Sequence, residues 1–438
     1  MRAPDAPASA PGARPENAGR GRTAVALALA LLDGCGGRPS EPPDGGVPPA
    51  EDAGTADAGT AQPDAGADAG GVDAGSTDAG ISDAGTGDGG FSPAPHAPFP
   101  QIPYQGGPTL SAPRLVPITF AGYPYAAEIA QWSGWIASSS WLATVGADYG
   151  VTGATAAPLV VLDGGAPTIQ RPEDLAALLA EAFDGGAIPA PASLAQPLYV
   201  VFFPPDAGIA GVCQQVFSYH AAGRYEGAPF AFVLDADCPE QVTGYPETEQ
   251  IELTAGHEIV ESAANPYSTV DGGIGWQLTD PASPWWAPGA GEIADLCEGP
   301  VYFDADAGVY APLVWSNRAA ARGDGSPCLP SPGAYFNASP TPDAVVTLDG
   351  GASFRVTLTG WSAAPSPPWG IAVMADFGDF DPQPQLVASA LENGGDAGVT
   401  VAVPPGTPSG ARAVVWIGSY AQGSPDWTSF WPIAVEAR

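Results

Sequence analysis

The sequence predicts an α/β domain followed by an all-β sandwich, on three observations. Strand-like apolar runs alternate with helix-patterned segments between residues 97 and 332. From residue 333 to 438, short strand-like runs follow one another with no helix between them. Ahead of both, residues 36–96 are too poor in large apolar side chains to offset the entropy of ordering them. A chain of 438 residues also exceeds what one typical core organises.

In chain order, a Pro- and Ala-rich start carries Arg2, Arg14, Arg20 and Arg22 and leads into the apolar run Thr23 to Leu32. That run is too short to span a bilayer and suits the core of a signal peptide. It ends in "LLDGCGG", which resembles a bacterial lipobox: Leu32 stands third before Cys35 and small Gly34 immediately before it. Residues 1–35 are therefore expected to be a lipoprotein signal peptide and Cys35 to carry a diacylglyceryl anchor, with an ordinary secretory peptide as the alternative. Export to a bacterial cell envelope, as an outer-membrane or surface lipoprotein, follows.

Residues 36–96 repeat an Asp-Ala-Gly unit, with aspartates at 68, 73, 78, 83 and 88 and no Lys or Arg after Arg38. Like charges keep such a segment extended, so it reads as a disordered tether. The whole chain has a formal net charge of −35 with only 13 basic residues and no basic patch, which excludes a nucleic-acid partner. Acidic membrane surfaces are disfavoured for the same reason, so any membrane link runs through the lipid.

In the α/β part, strands are expected at Arg114 to Phe120, Pro158 to Leu162, Leu198 to Phe203 and Phe230 to Leu234. Helices are expected at Glu128 to Val145, at Glu173 to Phe183 after an "RPED" start, and at about Glu249 to Ala264. Beyond residue 333, seven strand candidates from "AVVTL" to "FWPIAVEAR" suit an immunoglobulin-like sandwich, with Phe380, Trp416, Trp427 and Trp431 as core or edge aromatics. "DGG" and "DAG" insertions at Asp163, Asp184, Asp206, Asp271, Asp306, Asp349 and Asp396 read as solvated turns. After Cys35 four cysteines remain, an even number that in an exported chain reads as two disulfides; proximity favours Cys213 with Cys238 and Cys297 with Cys328.

The chemistry concentrates in "TAGHEIVESAANP", residues 254–266, in a chain with three histidines. On a helix His257 and Glu261 share a face, while Glu258 points about 100° away. This is the spacing of zinc peptidases with a His-Glu-x-x-His helix, with Glu261 in place of the second His. Zinc is the expected cofactor and Glu258 the general base. A third ligand is offered by "GEIADLCEG": Glu292 as ligand and Asp295 as the partner that orients His257, or the two roles reversed. His220 is a further candidate ligand or a structural histidine, and Tyr219 and Tyr225 are candidate oxyanion donors. Gly256 leaves room for another backbone. The plain alternative is an acidic amphipathic helix with Ile251, Ile259, Val260, Ala263 and Ala264 as its buried stripe.

"AGHEIVESAANP", the tryptophans after it and "GEIADLCEG" resemble the phosphate-induced, EXORDIUM-like secreted proteins of plants and their bacterial relatives. There a His-Glu-Leu-x-Glu helix, an Asn-Pro and a Glu-Ile-x-Asp-Leu-Cys-Glu segment follow in that order. "CQQVFSYHAAGRYEGAPFAFVLDADC" is similar to that family's Cys-rich Gly-Tyr-His segment. The resemblance covers roughly residues 105–330 and implies an extracellular protein with a zincin-like HExxE helix; it brings no established reaction. The DGG insertions, the tether and the C-terminal β domain lie outside the plant pattern. With His257, Glu261 and Glu292 as ligands, two carboxylates cancel the formal charge of zinc, so water is polarised less than beside two neutral histidines. A metallopeptidase-like hydrolase acting on peptide or cell-surface substrates is thus one reading. A non-catalytic adhesion protein with a structural metal or polar site is the other.

Overall fold

All but the first residue of Arg114–Phe120 are buried, as a parallel strand covered on both faces requires. In the computed structural model this segment, β1, sits inside a six-stranded sheet. The structure describes residues 91–438 except 206, 214–216, 239–244, 271–272, 288–290, 300, 332, 389 and 424–426. The signal peptide, Cys35 and nearly all of the tether lie outside the described residues, as do Asp206 and Asp271.

After β1 come helices α1 (Ala126–Ser138) and α2 (Trp141–Val145), then strands β2 (Thr155–Ala156) and β3 (Val160–Leu162) and helix α3 (Pro172–Asp184). Strands β4 (Pro197–Phe203), β5 (Ser218–Tyr225) and β6 (Ala228–Ala236) lead into α4 (Glu247–Ala264). The sheet runs β2-β1-β4-β6-β5, with β3 also paired to β1; β5 alone is antiparallel to its neighbour. Side chains alternate between two cores. Leu198, Val200 and Phe202 of β4 face α1 and α4, while Tyr199, Val201 and Phe203 face α3.

The expected helix from Glu128 to Val145 breaks between α1 and α2, where Ser139 is extended. The Ser138 hydroxyl bonds back to the Gly134 carbonyl at 2.8 Å, and serines competing for backbone partners weaken a helix at such a point. Strand β5 escaped sequence reading because "SYHAAGRY" mixes polar and small residues and lacks an apolar run. The helix α4 departs most from expectation. Every residue from Gln250 to Ala264 is buried, polar ones included, so α4 has no solvated face along that stretch. Gly256 is required there, since a Cβ would lie 2.8 Å from the Pro312 ring.

A hairpin of β7 (Val301–Asp304) and β8 (Val309–Pro312) covers α4, followed by β9 (Val314–Trp315), α5 (Asn317–Arg322) and β10 (Cys328–Leu329). Both expected disulfides form, Cys213 with Cys238 and Cys297 with Cys328.

The C-terminal sandwich comprises β11 (Phe336–Thr341), β12 (Val346–Leu348), β13 (Ser353–Ser362), β14 (Trp369–Gly378), β15 (Gln385–Leu386), β16 (Ala390–Leu391), β17 (Asp396–Ala402), β18 (Arg412–Tyr420) and β19 (Trp427–Ala437). One sheet is ordered β11-β13-β17-β15 and the other β12-β19-β18-β14-β16. Of the six long strands, the first, second and fourth (β11, β13, β17) form one sheet and the third, fifth and sixth (β14, β18, β19) the other; with the short β15 beside β17 this is the division of immunoglobulin-type sandwiches. Trp416 and Trp431 are buried, as core aromatics should be.

One apolar core continues from the α/β part into the sandwich. Phe99 lies within 5.2 to 6.4 Å of the rings of Trp285, Trp315, Tyr335, Trp361 and Trp431. Arg412 of β18 is buried, donates to the carbonyls of Pro281, Ser283 and Trp286, and lies 5.0 Å over the Trp286 ring. Arg412→Ala leaves those carbonyls without their cation and is expected to cost about 3 kcal/mol. Urea unfolding checks this; a change under about 0.5 kcal/mol would show that the contact is incidental.

Candidate metal centre

Alternation along β5 decides which residues meet α4. Tyr219 and Ala221 pack toward α3, so Ser218 and His220 fall on the α4 side of the sheet. The Ser218 hydroxyl donates to Glu258 Oε1 at 2.9 Å, and His220 Nδ1 lies 2.9 Å from Glu258 Oε2. Both oxygens of the glutamate beside His257 are therefore engaged by the edge strand. Tyr219 points to the opposite core and the Tyr225 hydroxyl donates to Asp184 at 2.8 Å, so neither candidate oxyanion donor reaches this site.

A second segment closes the cluster from below. Residues 291–299 form a single helical turn, Asp295–Cys297, entered through Gly291 at φ +139, where a Cβ would strike the Leu278 carbonyl at 2.5 Å. Asp295 Oδ2 accepts from the backbone N–H groups of Gly291 and Glu292. The N–H groups of Ala294 and Asp295 in turn donate to Glu261 Oε1 at 3.0 and 3.1 Å.

Two overlapping ligand sets result. His257 Nε2 lies 3.3 Å from Glu261 Oε1 and 3.3 Å from Asp295 Oδ1. His220 Nε2 lies 3.2 Å from Glu292 Oε2, and its Nδ1 lies 3.9 Å from Glu261 Oε2. The side chains named from sequence thus converge, in a different grouping. Asp295 meets the same ring nitrogen as Glu261, whereas a partner that orients a ligand ring sits on its other nitrogen. Glu292 meets His220, and the Asn265 amide donates to its other oxygen.

Burial sets the protonation. Burial alone lowers the imidazole pKa at His220, but the charges of Glu292, Glu258 and Glu261 outweigh it and push the ring up to about 10. At His257 the same opposition, burial against Glu261, Asp295 and Glu258, ends well above the ordinary histidine value. Glu292 is pushed up to about 8 by burial and by Glu261 and Asp295, against the pull of His220. Glu261 is raised by burial and by Asp295.

Sequence reasoning missed Glu298. Both its carboxylate oxygens are buried and accept no hydrogen bond from the described residues, and its pKa is raised well above the usual carboxylate range by burial, against the pull of His257 and with Asp295, Glu261 and Glu258 adding to the rise. It is the acid of "LCEG", three residues past Asp295, which is the only signal that pointed to it. Ser218 and Asn265 were also unmarked, since hydroxyls and amides carry no spacing signature. Paired across the sheet with Ser218, Asp235 of β6 is fully buried and accepts from the Thr254 hydroxyl of α4 at 2.6 Å.

Glu252, one turn before the site on α4, is pushed up to about 7, mostly by burial and despite the Tyr310 N–H that donates to it. Its folded pKa lies above its unfolded one, so its contribution to stability is greatest below about pH 4.5 and is lost as pH rises through about 7. Glu252→Gln is expected to melt higher than the parent at about pH 8 and to lose that advantage at about pH 4. Melts at the two pH values check it; an equal offset at both would mean that Glu252 does not titrate in this window.

No protein-family model matches the chain, and no curated protein matches it. Among solved structures, it is similar to WR4, a C. elegans member of the MSP family, at 10% identity over 23% of this chain and 97% of that one, TM-score 0.18. Domains 4 and 5 of the S-layer protein SbsC match at 13% identity, over 24% of this chain and 53% of that one, TM-score 0.17. A nucleoside hydrolase-related hypothetical protein from Saccharophagus degradans matches at 12% identity, over 70% of this chain and 75% of that one, TM-score 0.23.

Proposed function

We propose that this chain is an exported, lipid-anchored cell-envelope protein whose α/β domain is a zincin-like, metal-dependent hydrolase acting on peptide or cell-surface substrates. The observation that carries this reading is the spacing of the ligand atoms. Donors about 2.0–2.1 Å from a tetrahedral ion stand roughly 3.3 Å from one another. The contacts His257 to Glu261, His257 to Asp295 and His220 to Glu292 measure 3.2 to 3.3 Å. Charge-assisted hydrogen bonds are shorter, about 2.7–2.9 Å. The Glu298 carboxylate oxygens, buried and without a hydrogen bond from the described residues, add a group that a cation would satisfy. Imidazole and carboxylate donors fit zinc.

A divalent ion held there supplies Lewis-acid polarisation of a substrate carbonyl and of water. The protein's own groups do the rest. Glu258 adjoins the ligands on α4 and would take a proton from the attacking water. Ser218 and His220 keep its carboxylate aimed.

A second reading, a structural ion in a non-catalytic surface protein, is favoured by one observation: His220, His257, Glu261 and Glu292 are each no more than 5% exposed. Purified full-length protein is expected to retain stoichiometric zinc and to cleave a peptide library in a chelator-sensitive way. Absence of bound metal sinks the hydrolase reading. Zinc without cleavage leaves the structural ion.

A further inference from the structure

We infer that the cluster is a binuclear centre in which the Glu261 carboxylate bridges two divalent cations, one held by His257 and Asp295, the other by His220 and Glu292. This rests on the metal-site reading above and goes beyond a single-ion peptidase site. Each triad, His220–Glu261–Glu292 and His257–Glu261–Asp295, brings its ligand atoms within 4.8 Å of one another. Glu261 is the one residue common to both. Its Oε1 lies 3.3 Å from His257 Nε2 and its Oε2 lies on the side of the His220 ring, 3.9 Å from Nδ1, so the two oxygens of one carboxylate look toward different imidazoles. Backbone N–H groups of Ala294 and Asp295 fix Oε1, which holds the carboxylate in that orientation.

The contacts also separate ligands from supports. His220 Nδ1 to Glu258 is 2.9 Å, a hydrogen-bond length, whereas its Nε2 faces Glu292 at the longer 3.2 Å. Glu258 thus orients His220 from behind, as a carboxylate commonly orients a ligand imidazole. The Asn265 amide does the same for Glu292, and its own oxygen accepts from Gly275 N–H at 2.9 Å.

Glu258, Glu261, Glu292 and Asp295 all lie within 3.9 Å of one of the two imidazoles, so together with the rings they offer more donor groups than one four-coordinate ion takes. Glu298, whose oxygens are buried and accept no hydrogen bond from the described residues, is the independent sign that the described side chains do not complete the site. Ions sharing one carboxylate stand about 3.5–4 Å apart in two-metal sites.

The test uses the full-length protein, stripped of metal and titrated with Zn²⁺ alone, with elemental analysis of the washed chain. Two zinc ions per chain are expected. His257→Ala and His220→Ala should each retain one, and Glu261→Ala should retain neither tightly, its apparent affinity falling at least 100-fold. Because variants of a buried cluster can fail to fold, Mn²⁺-loaded parent protein supplies a second measurement. Its electron paramagnetic resonance spectrum should show two exchange-coupled ions. Saturation at one ion per chain, an uncoupled six-line Mn²⁺ spectrum, or loss of all metal from both folded histidine variants overturns the bridge while leaving the hydrolase reading intact. Failure to bind any metal overturns both.

Discussion

Glu258→Gln is expected to keep the bound metal to within about tenfold and to lower hydrolysis by about 10²- to 10⁴-fold, the usual contribution of a positioned general base. Glutamine preserves the shape of the side chain and an oxygen that can still accept from His220 Nδ1. It cannot take a proton. Glu258→Ala removes the hydrogen bond as well, leaves Ser218 and the His220 ring unsupported, and should weaken metal binding by about 10- to 100-fold, the range for losing a carboxylate behind a ligand histidine. The pair of variants therefore separates a base from a support. If Gln and Ala lose metal alike, Glu258 only orients His220; if Gln retains full activity, the proton goes elsewhere.

How far the sequence could take this follows from which signals are local. β1 and α3 were legible to within a residue or two because each has its own pattern, a continuous apolar run and an "RPED" helix start. The strands of the sandwich were legible for the same reason, although β11, with "FNASPT", was not. Both disulfides followed from proximity, whereas the grouping of the acids did not. His220 and Glu292 are distant in sequence, and what joins them is the alternation of β5 together with the one-turn geometry of Asp295–Cys297. Spacing on α4 made His257 and Glu261 neighbours, but it could not say that a strand would bury the same face. The amphipathic reading of α4 failed there, since its acids face the sheet and the 291–299 segment rather than water.

Cys297→Ser with Cys328→Ser is expected to cost about 3.5 kcal/mol, the loop-closure entropy for a separation of 31 residues. Its greater interest is local. Cys297 ends the turn that carries Asp295, and that turn presents the two N–H groups that hold Glu261. Besides the disulfide, the segment is tied down by the Trp315 N–H donating to the Ile293 carbonyl at 2.8 Å and the Leu278 N–H donating to the Gly291 carbonyl at 2.7 Å. Both lie on the N-terminal side of Asp295, so opening the bond frees its C-terminal side and zinc affinity should fall about 10- to 100-fold along with stability. The other disulfide makes the control. Cys213–Cys238 closes a loop of similar separation, 25 residues, but the strands it spans are already registered by the eight residue pairs of β5 with β6. Its double Ser variant should lose nearly as much stability while keeping zinc affinity within a few-fold. Unfolding by denaturant and zinc titration of both double variants read the two effects apart. Equal zinc affinities in the two would mean that the turn is held by its packing, with Leu296 and Ile293 in the core fixing Asp295 without help from the disulfide.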